Sequence, residues 1–152
     1  MVHALEEIQR LLKPDGCLID IHPIREAPLI KVNQGINLLF AESDPGYDYD
    51  ADIHHAEDAL GEILQRGLFR IEGSDEFDLV THGSSVAEIR DYWAKYGAYD
   101  ASPKDNALIA GQDAVYARAD QIMRTTGGET DIAYHERARI TRLKPNERRQ
   151  EE

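Results

Sequence analysis

The feature that most constrains this chain is a helix that stops at a proline and leads at once into an apolar strand. Apolar residues recur near the N-terminus at helical spacing, with charged and amide side chains between them. The turn Lys13-Pro14-Asp15-Gly16 ends this helix, because proline cannot continue it and Asp-Gly favours a tight turn. The apolar run Cys17–Ile21 that follows predicts a buried strand. Together these elements form an αβ unit, which indicates an α/β fold.

Size and charge narrow the classes of protein that remain. The chain has 152 residues, and its 29 acidic residues against 17 basic ones give a formal net charge of −12. This balance argues against nucleic acid and anionic membranes as partners, since both require clustered Lys and Arg. Cys17 is the single cysteine, which excludes an intramolecular disulfide and a thiolate zinc cluster. The sequence shows neither a membrane span nor a secretory signal, so a cytoplasmic location is expected.

Residues 1–143 are predicted to form a single domain, and 144–152 a charged tail. Within the domain, apolar patterns and turn residues predict a hairpin over Leu29–Phe40 and helices over Asp52–Arg66, Ser85–Tyr96 and Lys104–Thr126. Ser85 and Glu88 lie at capping-box spacing. Two short strands are predicted around a turn at Gly73–Glu76, and a later strand over Ile132–Leu143.

The segment Ala4–Ile21 resembles a recurring part of class I S-adenosylmethionine-dependent methyltransferases. In that family a helix reading Leu-x-Glu-Ile-x-Arg-hydrophobic-Leu-Lys-Pro-Gly-Gly leads into the fifth strand of a Rossmann-like sheet. Asp15 stands here in place of the first Gly of that turn. The remaining residues match only in layout, with a crossover helix, further strands and a late antiparallel strand. The resemblance implies the C-terminal part of a Rossmann-like methyltransferase sheet with helices packed on it.

The resemblance also raises the question of the cofactor. In that family a Gly-rich loop after the first strand and an acidic residue after the second hold S-adenosylmethionine. This sequence contains no Gly-x-Gly-x-Gly, and Gly127-Gly128 follows a predicted helix and precedes a strand, the wrong order for such a loop. The expectation is a truncated methyltransferase-like protein, either a fragment or a chain begun at an internal Met. Alone it would bind S-adenosylmethionine weakly or not at all, and if active it would act on a small-molecule acceptor.

Candidate site residues lie where the first strand ends. Ligands of open α/β sheets gather at the carboxyl ends of strands. In the methyltransferases the C-terminal half shapes the acceptor side of the pocket, so His22, Pro23 and Arg25 are the predicted substrate-binding residues. Alternatively, His22 only caps the strand end through a backbone hydrogen bond. No residue is assigned as catalytic or as cofactor-binding.

Two acidic segments contain residue types that bind metal ions. Asp50, His54 and Asp58 share a helical face at four-residue spacing, but a solvated acidic face explains this spacing more simply. The run from Asp44 to Asp52 lacks the Gly and Glu that a calcium loop requires in register, which favours a solvated loop or a lid over a pocket. No metal site is predicted.

A missing neighbour strand leads to a prediction about partners. Without the strand that borders it in the methyltransferases, Cys17–Ile21 has an unpaired edge. A homodimer is therefore expected, either through this edge or through an exposed helix face made of Leu5, Ile8 and Leu12. A different class of function remains open: a non-catalytic α+β binding or dimerisation module. Its pocket would lie between the Leu29–Phe40 hairpin and the Ser85–Tyr96 helix.

Overall fold

The computed structural model of the chain describes residues 1–46, 52–97 and 105–146. Within these residues the chain forms four helices and five strands. In chain order they are α1 (Val2–Leu11), β1 (Leu18–Pro23), β2 (Leu29–Gln34), β3 (Asn37–Ser43), α2 (Asp52–Gln65), β4 (Phe69–Gly83), α3 (Val86–Gly97), α4 (Asn106–Thr125) and β5 (Asp131–Pro145). The predicted α/β class is confirmed. No helix in the described ranges is long and apolar enough to cross a membrane.

The strands form an antiparallel sheet in which β5 is the common partner. β1 pairs with the second half of β5, from Leu18↔Leu143 to Pro23↔Ala138. β2 pairs with the first half of β5 and, through a hairpin, with β3. β4 also pairs with β5. The predicted late strand is therefore present as β5 and runs antiparallel to β1, β2 and β4.

The chain divides into two compact units. Unit 1 contains Met1–Arg25, Tyr49–Phe77 and Arg137–Glu152, and unit 2 contains Glu26–Asp48 and Asp78–Glu136. Each unit has its own hydrophobic core. Residues 147–152 of the predicted charged tail lie outside the described residues, while Lys144 and Pro145 belong to β5.

The core of unit 1 joins both of its helices to the sheet. Ile63, Phe69 and Leu143 are fully buried, and apolar side chains of α1 and α2 pack around them. Leu5 and Leu12 are among these packed side chains. Leu5 and Leu12 are therefore partly covered by the core of unit 1, while no residue of α1 is fully buried.

The core of unit 2 is larger and includes aromatic side chains. Its buried residues come from β2, β5, α3 and α4, and they are Ile30, Val32, Val86, Ile89, Val115, Tyr116, Ala119, Ile132 and Tyr134. Trp93 packs against this core, and its ring centroid lies 4.8 Å from that of Tyr134. Leu108, which the helical pattern predicts on the inner face of α4, is instead 36% exposed near the start of that helix.

The predicted turn at Gly73–Glu76 is wrong, because β4 continues through it as one strand. Ser74 Oγ lies 3.2 Å from Thr141 Oγ1 of β5. Glu76 accepts hydrogen bonds from Arg139 at 2.9 Å and from Arg137 at 3.1 Å. The two guanidinium groups lower the pKa of Glu76, Arg139 having the larger effect. Cross-strand pairs with β5 thus outweigh a local sequence that favours a turn.

Local side-chain and glycine signals mark the ends of several elements. Gly35 (φ 58°) lies in the β2–β3 turn and Gly67 (φ 70°) follows α2, both with a backbone conformation that glycine adopts at little cost. Ser85 Oγ accepts a hydrogen bond from the backbone N–H of Glu88 at 3.2 Å, as the capping-box spacing predicts. Asp105 caps α4 by accepting from Ala107 N at 2.7 Å.

Candidate functional site

The candidate site is a cavity of about 360 Å³ in unit 1. One part of its wall is apolar and consists of Leu60, Leu64, Ile71 and Leu143. The polar part consists of His22, Glu57, Ser74, Arg139 and Thr141. A mostly apolar wall with a few convergent polar groups is the usual composition of a small-molecule site.

Strand pairing and helical spacing bring the polar groups together. Alternation along β1 places Asp20 and His22 on one face of the strand. Their partners on β5 are Thr141 and Arg139, and residues directly opposite each other in a sheet share a face. Glu57 is contributed by α2, one turn before Leu60 and two turns before Leu64.

His22 is the best-defined polar group of the cavity. Its side chain is only 10% exposed, and its Nδ1 lies 2.5 Å from Oδ2 of Asp20. The ring therefore donates from Nδ1 to the carboxylate, which fixes its orientation. Nε2 is buried, and none of the described side chains is its hydrogen-bond partner. The carboxylate of Glu57 is near it, with Oε1 at 3.9 Å.

Arg25, the third of the predicted substrate-binding residues, holds Glu57 in place. Arg25 Nε donates to Glu57 Oε2 at 2.5 Å, and a second guanidinium nitrogen lies 3.7 Å from Asp58 Oδ1. Arg25 thus acts on the cavity through Glu57 and does not line it. Pro23 pairs with Ala138 and is not part of the wall. Of His22, Pro23 and Arg25, the structure brings only His22 to the cavity itself.

The sequence pattern did not single out Asp20, Glu57, Ser74, Arg139 or Thr141 as site residues. One signal was present, since Asp20 is the polar break in an apolar strand, two positions before His22 and so on its face. Ser74 was not expected in the sheet, because the sequence predicts a turn at Gly73–Glu76 where β4 in fact continues. The alternative in which His22 bonds only to the backbone does not describe its side chain, which bonds to Asp20.

The lining cation Arg139 is already engaged by an acid. Its guanidinium donates to Glu76 at 2.9 Å, and Glu76 also binds Arg137. The charges next to His22 are the carboxylates of Asp20 and Glu57, each with a partner of its own. A His ring oriented by a carboxylate, with its second nitrogen lacking a donor, is an arrangement suited to accepting a proton.

A second buried polar cluster lies in unit 2 around Asp44, which is 2% exposed. Its carboxylate accepts from the backbone N–H of Gly46 at 2.8 Å, from Gln112 Nε2 at 2.8 and 3.0 Å, and from the hydroxyl of Tyr134 at 2.7 Å. Burial and this carboxylate raise the pKa of Tyr134. Because protein groups bind both oxygens, the cluster holds the segment after β3 against α4 and offers a ligand no free oxygen.

Asp44 corrects the prediction of a solvated acidic loop. The prediction is wrong at this residue, because its hydrogen bonds compensate the loss of water. Asp48 and Asp50 lie outside the described residues, as does the side chain of His54. Among the side chains that the structure describes, no three His, Cys, Asp or Glu groups are placed to hold a metal ion.

The turn from β4 into α3 leads from a strand to a helix N-terminus, as does the cofactor loop of the family that the sequence resembles. β4 ends at Gly83, and α3 begins at Val86. There the carboxylate of Glu88 accepts from the backbone N–H of Ser84 at 2.7 Å and from its hydroxyl at 2.8 Å. These two bonds lower the pKa of Glu88, the backbone bond having the larger effect. The anion position at this turn is thus filled by the chain's own carboxylate, not left for a ligand.

Comparison with protein-family models, curated proteins and solved structures gave no match for this chain.

Proposed function

We propose that this chain forms the acceptor-substrate side of a methyltransferase-like α/β fold and binds a small molecule in the cavity beside His22. One observation carries the proposal. His22 stands near the carboxyl end of β1, is oriented by Asp20, and lines a cavity of about 360 Å³ with an unpartnered Nε2. A cavity with a few convergent polar groups is the usual setting of a small-molecule site.

The order of elements in unit 1 supports the same proposal. α1 ends at the Pro14-Asp15-Gly16 turn and is followed directly by β1. α2 comes next among the helices, and the last strand, β5, runs antiparallel to β1. A helix, a turn and a strand, with a further helix and a late antiparallel strand after them, agree in order with the layout that the resemblance implies, whereas the pairings of β5 with β1 and β2 are both antiparallel.

The proposal assigns cofactor binding to residues other than the 152 of this chain. We therefore expect the isolated chain to give no heat of binding with S-adenosylmethionine or with S-adenosylhomocysteine at micromolar concentrations. Isothermal titration calorimetry measures this directly. A dissociation constant in the micromolar range for either compound would overturn the assignment.

The DNA upstream of the Met1 codon tests the proposal most cheaply. It supports the proposal if the same reading frame continues upstream and encodes a Gly-x-Gly-x-Gly loop after a strand. In that case the protein encoded by the whole frame should transfer tritium from methyl-labelled S-adenosylmethionine to a small-molecule extract. H22A should abolish the transfer and H82A, at a residue outside the cavity, should preserve it. A stop codon close upstream contradicts the proposal.

A second candidate function, a dimerisation module, is favoured by exposed apolar residues on β1. Ile19 and Ile21 are 48% and 60% exposed. β5 is the only partner of β1 among the strands that the structure describes. A second copy of this chain, added along the free edge, would pair the strand and cover these side chains.

Light scattering coupled to size exclusion tests the dimer. The expected result is a dimer for the natural chain and a monomer for I21K. The lysine would place a positive charge at the paired edge of each copy, and these charges would repel each other. I36K is the matched control, since Ile36 is fully exposed in the β2–β3 turn, away from β1. A folded monomer of the natural chain contradicts this function.

A further inference from the structure

We propose that the cavity binds a neutral, mostly apolar molecule through a hydroxyl group, and that this hydroxyl donates a hydrogen bond to Nε2 of His22. The ligand class is that of small alcohols and phenols. The inference rests on the proposed function only in placing the ligand in this cavity. It can be tested without any methyl transfer.

The tautomer of His22 determines what its partner must be. The Asp20 carboxylate accepts a hydrogen bond, so Nδ1 of His22 carries the hydrogen that occupies the 2.5 Å contact. In the neutral ring the lone pair then lies on Nε2, which acts as an acceptor. Nε2 is buried, and the part of the chain that the structure describes supplies no donor to it. Glu57, with Oε1 at 3.9 Å, is itself an acceptor when ionised. The missing partner is therefore a donor.

The charges around His22 decide against an anionic ligand. A carboxylate ligand would meet the carboxylates of Asp20 and Glu57. The two nearby cations are already engaged, since Arg25 binds Glu57 and Arg139 binds Glu76. A cationic ligand would lose its solvation against the apolar part of the wall. A neutral hydroxyl supplies the donor without adding a charge to be compensated.

The size and wall of the cavity fit such a ligand. Its volume of about 360 Å³ lies at the lower end of the range for small-molecule sites, roughly 300 to 1,000 Å³. Four apolar side chains, Leu60, Leu64, Ile71 and Leu143, form a surface for a ring or a short alkyl chain. Ser74 and Thr141 bond to each other across β4 and β5. Among the buried side-chain atoms of this wall that the structure describes, Nε2 of His22 is the one without a hydrogen-bond partner.

Phenol is the probe, with toluene and benzoate as matched controls. In protein labelled with ¹⁵N-histidine, long-range ¹H–¹⁵N spectra separate the Nδ1 and Nε2 resonances of each ring. Phenol is expected to shift the Nε2 resonance of His22 and to bind more tightly than toluene or benzoate. H22F should weaken phenol binding about tenfold, the loss of one hydrogen bond, and leave toluene binding nearly unchanged. H82F should preserve both affinities.

Three results would overturn the inference: equal binding of phenol and toluene with an unshifted Nε2, tighter binding of benzoate, or no phenol binding at millimolar concentration. If H22F fails to fold, as thermal melting would show, the test rests on the natural chain, in which phenol either shifts the Nε2 resonance of His22 or does not. An upstream cofactor loop without a preference for phenol leaves the proposed function standing and removes this inference alone. A preference for phenol together with a stop codon just upstream removes the proposed function and leaves this inference standing.

Discussion

The hydrogen bond from Tyr134 to Asp44 allows a quantitative test of how unit 2 is held together. Y134F removes only the hydroxyl that donates to Asp44 Oδ2 at 2.7 Å and keeps the ring that packs against Trp93. Asp44 retains its bonds from Gly46 and Gln112, but it remains a buried carboxylate that has lost one donor. The substitution should therefore lower the free energy of unfolding.

The magnitude follows from the charge of the acceptor. Hydrogen bonds to charged groups contribute about 1.5–3 kcal/mol, so we expect a loss of about 2 kcal/mol. For a chain of this length a loss of 1 kcal/mol lowers Tm by roughly 2–4 °C, which predicts a fall of about 4–8 °C. Urea denaturation followed by circular dichroism, with an unchanged m value, gives the free energy directly.

Y116F is the matched control for this prediction. Tyr116 is buried in the same core, and burial together with the charge of Asp44 raises its pKa, yet its hydroxyl is not among the donors to that carboxylate. We expect a clearly smaller loss of stability than in Y134F. Equal losses would refute the argument, because they would show that hydroxyl burial alone, and not the bond to a buried charge, sets the energy.

Two further predictions test the described packing, one at Glu136 and one at Gly83. Burial raises the pKa of Glu136, so the folded state binds this proton more tightly and stability falls as pH rises through the interval between the unfolded and folded pKa values. E136Q should therefore gain about 1 kcal/mol at pH 7 and nothing near pH 4 in urea denaturation. A Cβ on Gly83 would lie 2.8 Å from Ile89 Cγ1, so G83A should lose about 1–3 kcal/mol. G73A, where space is open, should change stability by less than about 0.5 kcal/mol in the same assay.

The elements that the sequence predicted well are those fixed by local chemistry. The proline turn after α1, the glycine of the β2–β3 turn and the capping box of α3 each act within a few residues. Such signals depend little on the rest of the chain. The false turn in β4 shows the opposite case, since Gly73–Glu76 has turn residues and yet pairs with a strand about 65 positions away.

The candidate site was predicted only in part, for the same reason. His22 follows from its place at the end of an apolar strand, and Asp20 from alternation along that strand. Glu57 comes from a helix whose packing the local pattern does not give, and Ser74 and Arg139 depend on the pairing of β4 with β5. Arg25 lies in the predicted segment, but its role became visible only through its contact with Glu57.

The chain has one tryptophan and one cysteine, and they belong to different units. Trp93 packs against the core of unit 2 beside Tyr134, so its fluorescence responds to the loss of that packing. Cys17, half-buried just before β1 in unit 1, reacts with a thiol reagent faster when that segment opens. The natural sequence therefore has an optical probe in one unit and a chemical probe in the other. Recording both during denaturation shows, without any substitution, whether the units unfold in one transition or in two.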